Sequence, residues 1–231
     1  MAVQDDRREK ELRELFKLTK PEDSGRSGVD AVLEFNGVTL PFELKSTSKK
    51  SVTTVRDFGL DHIAKWKGEH WLVGFYDSEG ESLQYTVYAT PEQMLPWIDK
   101  KGIYIRPDYL LSKSAPDLLT MKDLFAVFGE KQSYTLDDAK SLQKKQVKAR
   151  EYEKLMDLPK GYSQERMLQF LKSRCQYLIK RGSTLNNPHI PAKYFRDFER
   201  ITDNHAARLR ELVAIWYETY SKTLATAEAK L

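Results

Sequence analysis

Apolar residues recur at helical spacing from Asp5 to Leu18, with Leu12, Leu15 and Phe16 on one side and charges elsewhere, and the pattern stops before Pro21. The segment Asp23-Ser24-Gly25-Arg26-Ser27-Gly28 is a loop by composition. Two apolar runs follow, Val29 to Phe35 and Val38 to Leu44, parted by Asn36-Gly37. Asn-Gly accepts positive φ at both central positions of a type I′ turn, so the two runs predict an antiparallel hairpin. After a polar stretch, Asp57 to Lys67 reads as a helix with Leu60, Ile63 and Trp66 inward, and His70 to Tyr76 as a buried strand. Leu83 to Ala89 returns as a further strand across Asp77 to Glu81, and Pro91 opens a short helix. Strand, helix, strand in this order implies a right-handed crossover with the two strands parallel. Beyond about Leu111 no strong strand pattern remains. Helices are predicted there from cap chemistry: Thr135 with Asp138, Ser163 with a close at Gly182, and Asp203 ahead of Leu209, Leu212, Val213, Trp216 and Tyr220.

These elements predict an α/β fold, a mixed β-sheet flanked by helices over residues 1–112, followed by a mainly helical part over 113–231. At 231 residues and 40% hydrophobic content, one substantial core with a helical extension is the expected organisation. The stretch Met1 to Lys10 is charged where a signal peptide is apolar, and no run reaches membrane-spanning length, so a soluble, cytoplasmic protein is expected. Cys175 stands alone, which excludes an internal disulfide, a zinc cluster or a thiol pair and suits a buried helix position. The net charge of +4 is unevenly spread: Lys140 to Arg181 holds twelve basic residues against four acidic ones, a local +8. Such a block suits a polyanionic partner, because each phosphate contact releases a counterion.

The hairpin carries the candidate chemistry. With a two-residue turn, Phe35 faces Val38 and paired residue numbers sum to 73, which sets Asp30 opposite Glu43. That pair falls on a non-hydrogen-bonded position, where side chains approach most closely, and Lys45 follows two residues later on the same face. Val29, Ala31, Leu33, Phe35, Val38, Leu40, Phe42 and Leu44 fill the opposite, core-facing side. Two facing carboxylates repel unless a cation lies between them. Magnesium suits that role, since it takes one or two carboxylates, keeps several waters and accepts a phosphate oxygen. Lys45 can orient or deprotonate a water, or neutralise charge on a reacting phosphate. The structural alternative is an exposed ion pair of Lys45 with Glu43 or Asp30.

Asp30, a hairpin and then Glu43-Leu44-Lys45 resembles the signature of the PD-(D/E)XK nucleases, and Phe42 to Thr47 looks like the ExK strand of type II restriction endonucleases. The resemblance covers roughly residues 5 to 90: first helix, hairpin, crossover helix and the apolar strand from His70. It implies a restriction-endonuclease-like core in which Asp30, Glu43 and the Leu44 carbonyl bind one or two Mg2+ ions while Lys45 serves the attacking water. The implied reaction is sequence-specific hydrolysis of double-stranded DNA to 5′-phosphate and 3′-hydroxyl ends. Two departures stand out, Val29 where the family often has proline and little chain before Asp30 for an extra strand. Some members add an acid from the first helix, and Glu11 lies nearer the apolar stripe than Glu14. A repair or recombination nuclease on the same core, and a DNA-binding module with a decayed centre, are the alternatives. A homodimer is expected because cutting both strands of a palindromic site calls for two related centres.

DNA contacts are expected from two segments. Ser46 to Arg56 offers hydroxyls and cations without acids, and Lys49, Lys50, Thr53, Thr54 and Arg56 are its candidate phosphate contacts. Lys65 and His62, on the crossover helix, can approach the scissile phosphate, with a structural hydrogen-bonding role as the alternative for His62. Arg181 to Pro191 brings Arg181, Asn186, Asn187 and His189, whose amides and imidazole can address base edges, with ordinary turn and helix-cap chemistry of Asn-Asn-Pro as the alternative. Trp216, Tyr217 and Tyr220 suit a core or a subunit interface.

Overall fold

Asn36 and Gly37 take φ of 50° and 76°, the left-handed pair that a type I′ turn needs, and so close the hairpin of β1 (Ala31–Phe35) and β2 (Val38–Thr47). The register runs from Phe35↔Val38 to Ala31↔Phe42, as the turn predicts. In the computed structural model, which describes residues 2–21, 28–144 and 147–228, β2 extends three residues past the expected Leu44. The loop expected at 23–28 lies, except for Gly28, outside the described residues.

A helix, α1 (Ala2–Phe16), precedes the hairpin. After it come β3 (Ser51–Thr53), α2 (Leu60–Trp66), β4 (His70–Tyr76) and β5 (Leu83–Ala89). β4 lies parallel to β2 across the α2 crossover and antiparallel to β5, as expected. Pro41, which has no N–H to donate, sits just before the paired stretch of β2 and β4 begins at Phe42↔His70. Two short strands near the C-terminal part were not predicted, β6 (His189–Pro191) and β7 (Arg200–Ile201). β7 completes a mixed five-stranded sheet in the order β1-β2-β4-β5-β7, and β3 pairs with β6 in a separate antiparallel ribbon.

Helices cover this sheet on both faces. On one, Leu33, Leu40, Phe42 and Leu44 share an apolar cluster with Leu12 and Phe16 of α1 and with Leu209 and Val213 of α8 (His205–Glu228). The buried stripe of α1 is Arg8, Leu12, Phe16, whereas Leu15, expected inward, is exposed. Arg8 is buried because its guanidinium lies over the Tyr76 ring and donates twice to the Gly80 carbonyl. On the other face, α2 buries Ile63 and Trp66 beside Phe58, Trp71 and Trp97, with Trp66 and Trp71 centroids 4.9 Å apart. Leu60, expected inward, is exposed, because α2 begins only at that residue.

Between β5 and β6 the chain is helical. α3 (Pro91–Ser114) starts at the predicted proline but runs 24 residues rather than one short helix, Pro96 and Pro107 notwithstanding. Then come α4 (Met121–Phe128), α5 (Leu136–Leu142), α6 (Ala149–Lys154) and α7 (Gln164–Ser183). Thr135 with Asp138 and Ser163 cap α5 and α7 as predicted, and Thr120 with Asp123 caps α4 in the same way. Their core gathers Leu124, Tyr134, Tyr152, Tyr162 and Phe170, and Tyr134 and Tyr162 exchange two backbone hydrogen bonds of 2.9 Å. A Cβ on Gly161 would overlap the Tyr134 carbonyl oxygen, so this close approach needs glycine. Cys175 on α7 is a half-buried free thiol, not the fully buried filler expected.

By packing, the units are Met1–Gly102 with Leu185–Leu231, and Ile103–Thr184. The division expected at 112 differs from this one, because from Leu185 the chain returns to the sheet with β6, β7 and α8. No helix among the described residues is long and apolar enough to cross a membrane.

Candidate active site

Asp30 stands one residue before β1, and its Oδ2 accepts the Leu44 N–H at 2.9 Å. That amide is the next donor on the β1 side of β2, so the carboxylate takes the place of the main-chain acceptor a longer β1 would supply. Glu43, adjacent to it in the register, is 3% exposed. The Lys45 ammonium lies 2.6 Å from Glu43 Oε1 and 3.6 Å from Asp30 Oδ2, and donates to the Leu44 carbonyl at 3.0 Å. One positive charge therefore touches all three oxygens nominated as cation ligands. The ion pairs of the structural alternative do form, but in an enclosed setting: the Lys45 side chain is 15% exposed.

Burial opposes ionisation of Glu43, yet Lys45 and Lys65 outweigh it and hold its pKa at about 2. Burial likewise opposes the Lys45 charge, and Glu43 and Asp30 reverse that, raising Lys45 above the usual lysine range. Asp30 is pushed up, by burial and by Glu43, against the pull of Lys45 and the Leu44 amide.

Lys65, expected on phosphate, is turned inward. Its ammonium donates to the Gly28 carbonyl at 2.8 Å and to Glu43 Oε2 at 3.0 Å, and lies 3.7 Å from Glu69 Oε1. Glu69 is a further site residue that the sequence reading missed. It is 2% exposed, neither oxygen has a hydrogen-bond partner among the described residues, and burial and then Glu43 raise its pKa to about 8. Between Gly68 and His70 it reads as loop, and only its i,i+4 spacing from Lys65 hinted otherwise.

The first helix contributes Glu9 rather than Glu11. Glu11 accepts the Tyr76 hydroxyl at 2.8 Å, whereas Glu9 lines a cavity of about 370 Å3 with Arg8, Leu44, Lys45, Lys49 and Thr53. Its pKa is raised by burial and by Asp30. With Arg8, Leu12 and Phe16 forming the buried stripe, Glu9 turns to the cavity, a phase that Leu15 concealed. Among the described residues no three His, Cys, Asp or Glu side chains are grouped to hold a metal, and the donor set is two carboxylates and a carbonyl.

Of the other nominated contacts, Lys49, Lys50, Thr53, Arg56, Asn186 and His189 are exposed. The Thr54 hydroxyl donates to the Pro188 carbonyl at 2.6 Å, and Asn187, at φ 47°, gives its N–H to Val55. Both serve the turn more directly than a ligand, since asparagine accepts the left-handed region. Arg181 is exposed in the last turn of α7, within the helical unit. His62 is half-buried between the Phe58 and Trp66 rings, and burial and Lys65 lower its pKa. Trp216 packs edge-on against buried His70 and stacks on Tyr220. No protein-family model matches this chain and no curated protein matches it, so the reading of the site rests on its own geometry.

Proposed function

We propose that the chain is a magnesium-dependent endonuclease, on a restriction-endonuclease-like core, that hydrolyses double-stranded DNA at specific sequences. What carries this reading is the convergence of Asp30 Oδ2, Glu43 Oε1 and the Leu44 carbonyl on one ammonium group at 3.6, 2.6 and 3.0 Å. An all-oxygen set that already holds a positive charge suits a hard divalent cation, and these three groups would hold one ion or two. Bound magnesium would supply Lewis acidity toward a phosphate oxygen and lower the pKa of water.

The chain's own groups do the rest. Lys45, drawn off the Leu44 carbonyl, orients the attacking water and neutralises charge growing on the non-bridging oxygens. Lys65 keeps Glu43 ionised and aimed, a positioning role. The water oxygen bonds to phosphorus and the bond from phosphorus to the 3′ oxygen breaks, leaving 5′-phosphate and 3′-hydroxyl ends. Paired cuts in a symmetric site call for two such centres, hence a homodimer, which sedimentation with and without duplex measures.

The test is digestion of a sequenced plasmid with magnesium and with chelator. Discrete fragments are expected only with magnesium. Asp30→Ala, Glu43→Ala and Lys45→Ala should each slow cutting by roughly 100-fold or more while duplex binding stays within a few-fold. Full activity in any one of them refutes the assignment. Cutting confined to branched or damaged substrates would instead make this a repair or recombination nuclease.

A further inference from the structure

The two segments nominated for DNA contact lie more than 130 residues apart in sequence, yet they meet in one object. β3 and β6 pair antiparallel, with Ser51 opposite Pro191, Val52 opposite Ile190 and Thr53 opposite His189. Val52 and Ile190 are fully buried, which leaves Thr53, His189 and Pro191 on the exposed face. Contacts beyond the ladder brace it: Thr54 to the Pro188 carbonyl, Asn187 N–H to Val55, and Ala192 N–H to the Lys50 carbonyl at 3.0 Å. Thr47 fixes its attachment to the catalytic strand, donating to the Ser51 carbonyl at 2.7 Å and accepting the Lys49 N–H at 3.0 Å. Thr53 and Lys49 line the same cavity as Leu44 and Lys45, so the ribbon forms a wall of the candidate active site.

We infer that this ribbon is the base-reading element, entering the major groove of B-form DNA with Thr53 and His189 toward base edges. The inference rests on the nuclease reading for its substrate. A two-stranded ribbon fits the major groove, about 12 Å wide, whereas the deep, narrow groove of an RNA duplex does not admit it. Charge agrees with that occupant: Ser46 to Arg56 holds three cations and no acid, and no acid occurs from Arg181 to Arg196. The Thr53 hydroxyl and the His189 imidazole, 3.5 Å apart on neighbouring strands, can hydrogen-bond adjacent base pairs, and the threonine methyl can meet a thymine methyl. Lys49 and Lys50, exposed at the turn, reach phosphates and set the register without reading sequence.

Selection of bound duplexes from a randomised library, in chelator so that nothing is cut, tests this with the full chain. The unaltered protein is expected to enrich a short motif. Thr53→Val and His189→Ala should each lose preference at one or two adjacent base pairs, about tenfold in enrichment, with non-cognate binding within about twofold. Lys49→Ala with Lys50→Ala should weaken all duplexes alike. An unchanged motif in both Thr53→Val and His189→Ala overturns the inference, as does tighter binding to duplex RNA. Parallel plasmid digestion separates the two readings. A motif shifted by the variants in a chain that never cuts with magnesium leaves the ribbon standing and removes the nuclease, whereas cutting with an unshifted motif does the reverse.

Discussion

Two buried titratable residues, His70 and Glu69, are neighbours in sequence with opposite demands on the folded state. Burial lowers His70 to about 4, against a smaller pull from Glu92, while its Nδ1 meets the Tyr88 hydroxyl at 2.8 Å. A histidine held neutral binds fewer protons folded than unfolded, so stability falls as pH drops from about 6.5 toward 4, by up to about 3 kcal/mol in all. Glu69, raised to about 8, holds a proton in the folded state that the unfolded chain releases above its ordinary range. Stability therefore also falls as pH rises from about 4.5 through 8. Melting temperatures across pH should show His70→Asn flattening the acid limb and Glu69→Gln the alkaline limb. A limb unchanged by its substitution contradicts the corresponding assignment. Asp30, Glu43 and Lys45 were legible in the sequence because a strand's period and a turn's register fix their side. Glu9 and Glu69 were not, since which glutamate is enclosed depends on what packs over it.

At the scale of elements, local chemistry decided what could be read. The hairpin was legible because Asn36-Gly37 specifies turn type, and turn type specifies register. Gly37→Ala tests that link: an alanine held at φ 76° should cost about 1 kcal/mol, seen as a fall of roughly 2–4 °C in melting temperature. No fall would mean the turn has another conformation. The caps at Thr135 and Ser163 were equally readable, being four-residue patterns. α3 was not, because Pro96 and Pro107 each remove a backbone donor and read as breaks, while the helix continues through both. β3, β6 and β7 span three, three and two residues, too few to display a period, and each pairs with a segment remote in sequence.

Over the whole molecule, charge is divided between the units. Ile103–Thr184 carries sixteen basic and ten acidic residues, a net +6 against +4 for the entire chain, so the sheet unit is net −2. On the nuclease reading, sequence-independent affinity belongs largely to the helical unit. Lys148, Arg150 and Lys154 are exposed there, and replacing all three with serine should lower the slope of log affinity against log salt by up to about 3. Cut positions mapped on a plasmid should not move. An unaltered slope would place the phosphate contacts elsewhere.

The strand bearing Glu43 and Lys45 shares its apolar layer with Leu209 and Val213, about 165 residues downstream, and the β3–β6 ribbon beside it needs Ile190. During synthesis the ribosome delivers this strand long before the residues that pack on its apolar face. On the nuclease reading, a nascent chain of 180 residues carries Asp30, Glu43 and Lys45 on an unfinished sheet, and it should cut no DNA until the late segments arrive.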